Sequence, residues 1–316
     1  SFQDTPSHGK PVEVFIQRRR YRCQGCGKTL FEPVADFDGK RQATARLVAH
    51  IRKESFTKTV AALAREVALD EKTIRHIFDD FVEEFEAKVR FRTPGILGID
   101  ELKIIGQYRA MITNVERKTV FDLRPSRAKA DLLPYFRTLR DKDTIEWVAM
   151  DMYHVYKQVV RATLPQARIV VDRFHIQRMA NDALEKLRKR IRKDLPARQR
   201  LKLKDERFLL LKRQHDLKGE DMRRALEWFR QFPQLGEAHA LKEGFLSIWD
   251  HRTRAEAEAA CAQWLANIPA ELAPTFKDLT TAVHNWHDEI FAYFEQPITN
   301  AYTESVNRLA KDMNRM

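Results

Sequence analysis

The sequence contains few of the residues on which disulfide-bonded, fibrous and membrane-spanning proteins depend. Its 316 residues include only 3 cysteines, 10 glycines and 12 prolines. Three cysteines cannot form a disulfide framework, and so little glycine and proline is untypical of fibres and disordered chains. No apolar run approaches the roughly 18 residues that cross a bilayer, and no secretory signal peptide is recognisable. We therefore expect a cytoplasmic protein without a membrane partner.

Positive charge is present in excess. There are 57 Lys and Arg residues against 45 Asp and Glu, which gives a formal net charge of +12 and a pI of about 9.6. Such an excess suits the phosphate backbone of nucleic acid. The length is sufficient for about two domains that each bury a core of their own.

Residues 15–33 read FIQRRRYRCQGCGKTLFEP, a basic strand-like run that leads into a Cys-x-x-Cys turn. Zinc requires four ligands, and Cys23 and Cys26 supply two. Upstream, only His8 could add a third, so the residues leave open whether zinc binds. Because the sequence begins at Ser1 without Met, we expect it to be part of a longer chain. Residues 1–38 are predicted to form a partial zinc ribbon, with Zn²⁺ bound in the full-length protein.

Residues 39–92 show apolar spacing typical of three short helices. Within residues 57–81, one helix is followed by a turn near 67–69 and a second helix that Asp70 caps at its N-terminus. This pattern predicts a helix-turn-helix DNA-binding domain, with a simple three-helix packing unit as the alternative. The second helix would present Lys72, Arg75 and His76 to DNA.

From residue 93 the pattern changes to strands, and the fold class predicted is mixed α/β. Three strands over residues 96–124 have very short links, which favours an antiparallel meander. Two further strands, at 146–150 and 168–171, alternate with helices, which favours parallel pairing. We expect the first part of a ribonuclease-H-like core at 93–176, a helical insertion at 177–296, and a last core helix within 297–316.

Carboxylates stand at informative points of this core. Asp100 lies in the first strand, and Asp151 and Asp172 each directly follow an apolar strand. Such side chains meet at the carboxyl ends of strands and repel one another unless a cation bridges them, and Mg²⁺ or Mn²⁺ suits oxygen ligands. Glu304, which shares a helical face with Asn307, is the third candidate ligand. Glu101 is expected to point to the opposite side of its strand.

The helical insertion carries a basic segment. Residues 185–204 include ten Lys or Arg residues against two acids. The segment is either a solvated pair of charged helices or a surface that faces phosphates. The candidate DNA contacts are Arg188, Lys189, Arg190 and Arg192.

Several ordered motifs resemble bacterial insertion-sequence DDE transposases of the ISL3 family over nearly the whole chain. The matching segments are RRRYRCQGCGKT at 18–29, GIDE at 98–101, VAMDMYHVY at 148–156, ARIVVDRFHI at 167–176 and TNAYTESVNRLAK at 299–311. The resemblance implies a ribonuclease-H-like domain interrupted by a helical insertion, and a DDE triad at Asp100, Asp151 and Glu304. The family's first zinc knuckle and its basic C-terminal tail have no counterpart in the sequence.

Asp172 and His175 fit the C/D-x-x-H motif of several transposase superfamilies and are interpreted as supporting residues, as is Asn307. His175 would contact a carboxylate or the scissile phosphate, or cap its helix. Strand order favours Asp151 as the second ligand, and Asp172 remains the alternative.

The resulting hypothesis is a transposase that binds terminal inverted repeats and target DNA, as a homodimer or larger assembly, at the bacterial nucleoid. It would cleave and join strands in a Mg²⁺-dependent reaction. The alternatives are a non-catalytic helix-turn-helix regulator and a ribonuclease-H-like nuclease without strand transfer.

Overall fold

The computed structural model describes residues 1–38, 40–89 and 91–314; Gly39, Arg90, Arg315 and Met316, which fall within the predicted 39–92 and 297–316 segments, lie outside them. The chain divides into two compact units, one of residues 1–92 and one that begins at Thr93. None of the helices in the described ranges is long and apolar enough to cross a membrane.

The first unit combines two hairpins with three helices. The strands are β1 (Phe2–Ser7), β2 (Lys10–Val14), β3 (Arg20–Arg22) and β4 (Thr29–Phe31), and the helices are α1 (Ala45–Glu54), α2 (Val60–Val67) and α3 (Glu71–Lys88). The side chains of Thr44, Thr59 and Asp70 each accept a backbone N–H of the first helical turn, which fixes the three N-termini.

The three helices bury a small apolar core against one another. Its members are Ala43, Leu47, Val48, Ile51, Leu63, Val67, Ile74 and Ile77. The β1–β2 hairpin, which the sequence did not reveal, packs on α1 and α2, and Asp4 on β1 ties it to the start of α1. Asp4 is buried and accepts hydrogen bonds from Thr44 Oγ1 (2.7 Å) and Arg46 Nε (2.6 Å). The Arg46 guanidinium holds the pKa of Asp4 well below its usual range. Residues 1–38 and the helices therefore belong to one unit.

The second unit contains a five-stranded sheet. Its strands are β5 (Ile96–Ile104), β6 (Gln107–Asn114), β7 (Thr119–Arg124), β8 (Trp147–Met150) and β9 (Arg168–Val171), in the order β7-β6-β5-β8-β9. The first three pair antiparallel, and β8 and β9 continue the sheet in parallel. Ile105 and Gly106 both have positive φ, the conformation of a two-residue hairpin turn. The predicted mixed α/β fold is confirmed.

Helices cover both faces of the sheet. On one face, α4 (Lys129–Thr138) and α5 (His154–Thr163) pack on inward-pointing residues such as Leu97 and Ile99. On the other face, α14 (Ala301–Met313) lies against β5 and β6. Side chains alternate along a strand, so Gly98 and Asp100 point towards α14.

Between β9 and α14, the described chain is helical. The elements are α6 (Arg173–Lys193), α7 (Ala197–Asp205), α8 (Arg207–Leu211), α9 (Gly219–Gln231), α10 (Pro233–Ser247), α11 (Arg254–Ala266), α12 (Ala273–Asn285) and α13 (His287–Phe291). The eight helices share one apolar core, whose aromatic members include Trp228, Phe245, Trp264 and Phe276. We call these eight helices the helical layer. In the helical layer, large aromatic side chains provide the buried apolar contacts that the sheet provides elsewhere in the second unit.

Candidate active site

The register of the sheet places three carboxylates in one row. Ile99 pairs with Met150 on β8, and Met150 pairs with Val171 on β9. The residues that follow are Asp100, Asp151 and Asp172. Because neighbouring strands lie about 4.8 Å apart, three acids in adjacent positions come close together at this edge of the sheet.

Asp100 and Asp151 are ionisable groups in a poorly solvated position. The buried Asp100 accepts hydrogen bonds from Glu101 N (2.7 Å) and from Asn307 Nδ2 (2.8 Å). Asp151 accepts one from Tyr153 N (3.2 Å) and is half-buried. Burial raises the pKa of both carboxyls, and the charge of Asp100 raises that of Asp151 further. The folded chain therefore holds unfavourable negative charge here.

Glu304 reaches the same region from α14. Its pKa is also raised, first by burial and then by the charge of Asp172. Nε2 of His175 lies 3.2 Å from Glu304 Oε1, although the two groups are not aligned for a hydrogen bond. Asp100, Asp151 and Glu304 border one open cleft of about 690 Å³. Its other lining residues are Glu101, Phe174, His175, Arg178, Asn307, Arg308, Lys311 and Asp312.

Asp172 occupies a different position from Asp151. It is 2% exposed, caps α6 by accepting Phe174 N (3.0 Å), and accepts Asn300 N (2.8 Å) with its other oxygen. It does not border the cleft, but its ligand atom lies within 4.8 Å of those of His175 and Glu304, a spacing that could hold a metal ion. The structure thus groups Glu304 most tightly with Asp172 and His175, while Asp151 faces the open cleft.

A polar network fixes α14 against the sheet. Thr303 Oγ1 lies 2.6 Å from Thr113 Oγ1 on β6 and donates to Asn300 Oδ1, and Asn300 Nδ2 donates to Ile99 O (3.2 Å). Gly98 permits this close approach, because a Cβ there would lie 2.5–2.6 Å from Asn300, Thr113 and Thr303 oxygens. The network sets the position of Glu304.

Asn307 links α14 to Asp100. Its Nδ2 bonds both Asp100 Oδ2 and Glu101 O (3.2 Å). Its Oδ1 is buried and, among the described residues, has no hydrogen-bond partner. A buried amide oxygen at the edge of an acidic cleft is a further oxygen donor available to a cation.

Sequence reasoning missed several residues of the cleft. Glu101, expected on the opposite side, borders it and pairs with Arg127. Arg178, Arg308 and Lys311 add positive charge to the same opening. Their spacing was a usable signal: one stands three residues after His175, and the others stand four and seven after Glu304.

The predicted DNA contacts differ in availability. Lys72, Arg75 and His76 are exposed on α3, with Arg75 paired to Glu71 (2.8 Å). On α6, Lys189 and Arg190 are exposed and Arg192 is partly exposed.

Arg188 corrects the prediction, because it is 3% exposed and cannot reach DNA from this position. Its guanidinium donates two bonds to Glu185 (2.7 and 2.8 Å) and one to Leu203 O (2.7 Å).

Cys23 and Cys26 lie in the turn between β3 and β4. Hydrogen bonds from Cys26 lower the pKa of the Cys23 thiol. Within residues 1–38, 40–89 and 91–314, no third Cys, His, Asp or Glu joins the pair as a possible metal group. Two thiols do not meet the four-ligand requirement of structural zinc, so the described residues around Cys23 and Cys26 do not fit a zinc site.

Comparison with known proteins identifies the family. The model of the ISL3-type DDE transposases, described as "Transposase", matches residues 97–316. The chain is also 23% identical over 327 aligned residues to the transposase for insertion sequence element IS1001 of Bordetella parapertussis, and the alignment covers 99% of this chain and 79% of that protein. The resemblance seen in the sequence motifs is confirmed, and the chain belongs to the ISL3-type family of DDE transposases, a family of DNA-processing enzymes.

Proposed function

We propose that this chain cleaves DNA at the ends of an insertion element and joins those ends to target DNA, with Asp100, Asp151 and Glu304 as metal ligands. The observation that carries the proposal is one cleft bordered by all three carboxylates, whose pKa values are all raised. Like charges kept together at the cost of stability are typical of a functional site.

The residues present fit a hard divalent cation. The side chains that border the cleft supply carboxylate oxygens, and Asn307 adds an amide whose buried Oδ1 has no hydrogen-bond partner among the described residues. Oxygen-rich sets of this kind suit Mg²⁺ and Mn²⁺, and the DDE family is associated with divalent metal. When bound, such ions supply activation of a water or 3′-hydroxyl and neutralisation of the leaving oxygen.

The remaining residues of the cleft have separate roles. Arg178, Arg308 and Lys311 offer cations at its rim to the phosphates on either side of the scissile bond. Asn307 orients the Asp100 carboxylate through its 2.8 Å bond. His175, which borders the cleft beside Glu304, is placed to hydrogen-bond a phosphate oxygen.

We assign the second ligand to Asp151 and give Asp172 a positioning role. Asp172 is nearly inaccessible, and its two carboxylate oxygens accept hydrogen bonds from backbone N–H groups at the starts of α6 and α14. Asp151 has the freedom and the exposure to the cleft that a ligand requires. The alternative in which Asp172, His175 and Glu304 bind the metal is supported by their mutual spacing of 4.8 Å or less.

The order of strands and helices supports two proposals about the architecture, a ribonuclease-H-like core and a helix-turn-helix. An antiparallel β7-β6-β5 segment followed by parallel β8 and β9 supports a ribonuclease-H-like core, with the helical layer as its insertion. In the first unit, α2 and α3 enclose a three-residue turn with Ala68 in the left-handed region, which supports a helix-turn-helix. Its exposed Lys72, Arg75 and His76 would read the terminal repeats as part of a dimer or larger assembly.

The test is an assay with DNA that carries the matching element ends and an unlabelled target plasmid. In Mg²⁺ or Mn²⁺, the wild-type chain should yield both nicked ends and joined products, and EDTA should abolish both. Asp100→Ala, Asp151→Ala and Glu304→Ala should each reduce cleavage by roughly 10³-fold or more, since each removes a metal ligand.

Glu271→Ala, a change of an exposed acid in the link between α11 and α12, is the matched control and should retain wild-type cleavage. Full cleavage by all three triad variants would refute the assignment of ligands. Cleavage without joined products would favour the nuclease alternative, and DNA binding without cleavage would favour a regulator.

A further inference from the structure

The helical layer contains a second cleft, of about 490 Å³, formed by α6, α7 and α8. We call it the basic cleft. Lys189, Arg192, Lys204, Arg207 and Phe208 line it. It shares no lining residue with the cleft that holds Asp100, Asp151 and Glu304.

Positive charge exceeds negative charge in the basic cleft. Five cations and two acids line it. The buried carboxylate of Glu185 is already saturated by Arg188, with Lys189 at 3.7 Å and Arg207 at 3.5 Å. Arg192 and Lys204 make no ion pair with any described residue. Glu185 and the second acid, Asp205, offset two of the five cations, so a net charge of +3 (five minus two) is available to an external polyanion.

An aromatic ring stands at the edge of this charge. Phe208 on α8 is 71% exposed, and the guanidinium of Arg207 lies 5.3 Å from its ring centroid. Its neighbours Leu209 and Leu210 are buried, so the short helix is anchored and the ring projects outward. An exposed aromatic face beside several cations is the combination with which proteins bind single strands, because cations contact phosphates and rings stack on bases.

We propose that the basic cleft binds unpaired DNA, with Phe208 stacked on a base and Lys189, Arg192, Lys204 and Arg207 on the adjoining phosphates. A base inside a duplex has both faces covered by its neighbours, so a ring projecting from a cleft stacks on an unpaired nucleotide or at the end of a strand. The biological source of that nucleotide rests on the proposed function, because strand cleavage produces unpaired ends. The binding itself does not depend on cleavage.

The experiment is fluorescence anisotropy of the full chain with a labelled 20-nucleotide oligothymidylate and with a duplex of the same length. Phe208→Ala should weaken binding of the single strand by about tenfold or more, since loss of one stacked base has effects of that size. Duplex affinity should change less than twofold. Phe208→Trp should retain or strengthen single-strand binding, because a larger ring preserves the stack.

Two further variants separate the explanations. Lys204→Gln should reduce the dependence of single-strand affinity on salt by somewhat under one unit of the log–log slope, as expected for one lost phosphate contact. Leu265→Ala, a change of an exposed apolar residue elsewhere on the helical layer, is the control and should have no effect.

Equal weakening of single-strand and duplex binding by Phe208→Ala would overturn the proposal, as would no weakening of either. If the triad variants proved fully active while Phe208→Ala lost single-strand binding, the catalytic assignment would be wrong and the proposal for the basic cleft would hold. If the triad variants lost cleavage while Phe208→Ala kept single-strand binding, the catalytic assignment would hold and the proposal for the basic cleft would be wrong.

Discussion

The two ends of α6 have opposite electrostatic characters. At its N-terminus, Asp172 caps the helix beside Asp100 and Glu304, whose pKa values are raised. Its C-terminal half carries Lys189 and Arg192 around one neutralised acid, Glu185. Both arrangements agree with the helix dipole. They differ in what is left unsatisfied: carboxylates suited to a cation at one end, and cations suited to a polyanion at the other.

The largest expected effect distinguishes Asp151 from Asp172, the two alternative ligands near the N-terminus of α6. Asp151→Asn should abolish cleavage, by roughly 10³-fold or more, and should leave stability unchanged or slightly increased, because it removes a repelled charge. Asp172→Asn should reduce cleavage and also lower the free energy of unfolding by roughly 1–3 kcal/mol, since its amide would face the Asn300 N–H donor. Cleavage assays and urea unfolding measure the two quantities. An Asp172→Asn protein of normal stability but without activity would make Asp172 the ligand instead.

The next effect concerns how closely α14 approaches the sheet. Gly98→Ala should displace α14, because the new Cβ would lie within 2.6 Å of three buried oxygens. We expect a loss of roughly 1–3 kcal/mol in stability and about 100-fold in cleavage from the misplaced Glu304. Thermal unfolding and cleavage rates check this. Gly95→Ala, in which the Cβ meets only the Glu116 carboxylate at 3.6 Å, is the control and should be neutral in both; a neutral Gly98→Ala would contradict the close approach.

In the C-terminal half of α6, the buried carboxylate of Glu185 should affect the stability of the fold and not the cleavage of DNA. Glu185→Gln leaves the buried Arg188 without its carboxylate and should cost about 3 kcal/mol in the free energy of unfolding. Urea unfolding gives the value, and cleavage at a temperature well below the transition should persist. The exposed pair of Glu227 and Lys202 provides the comparison, because Glu227→Gln should change stability by less than about 1 kcal/mol. Equal effects of the two variants would show that Glu185 is not held as described.

The smallest effect concerns the protonation of His239, a buried histidine inside the helical layer. His239 is buried near Lys242 Nζ (3.5 Å), and burial lowers its pKa to about 4 from 6.5. Between these values the unfolded chain binds the proton and the folded chain does not, so stability falls as pH falls. From pH 7.5 to 5 the loss should be about 2 kcal/mol larger in the wild type than in His239→Leu. Urea unfolding at both pH values measures this difference, and identical pH dependence in the two proteins would refute the buried neutral imidazole.

Local patterns in the sequence were sufficient for the sheet and for the carboxylates that follow its strands. The predicted strand 168–171 coincides with β9, and the predicted 146–150 differs from β8 by one residue. Apolar runs interrupted by charge are short-range signals, and the register of parallel strands then brings Asp100 and Asp151 together without further information.

Features that depend on distant partners could not be predicted in this way. The role of Asp172 is set by Asn300, 128 positions away, and the burial of Arg188 by the carbonyl of Leu203 on another helix. The β1–β2 hairpin is held by Arg46, which no local pattern links to Asp4. A charge count along one helix cannot distinguish a cation at the surface from one that is buried and paired.

The length of α6 sets the separation of the two clefts that are proposed to bind DNA. His175 and Lys189 are fourteen positions apart on this helix, which at 1.5 Å per residue separates them by about 21 Å along its axis. At about 3.4 Å per stacked nucleotide, a strand that joins the two clefts must be roughly six nucleotides long. In the proposed complex, a stacked end of two or three nucleotides would therefore occupy one cleft without reaching the other.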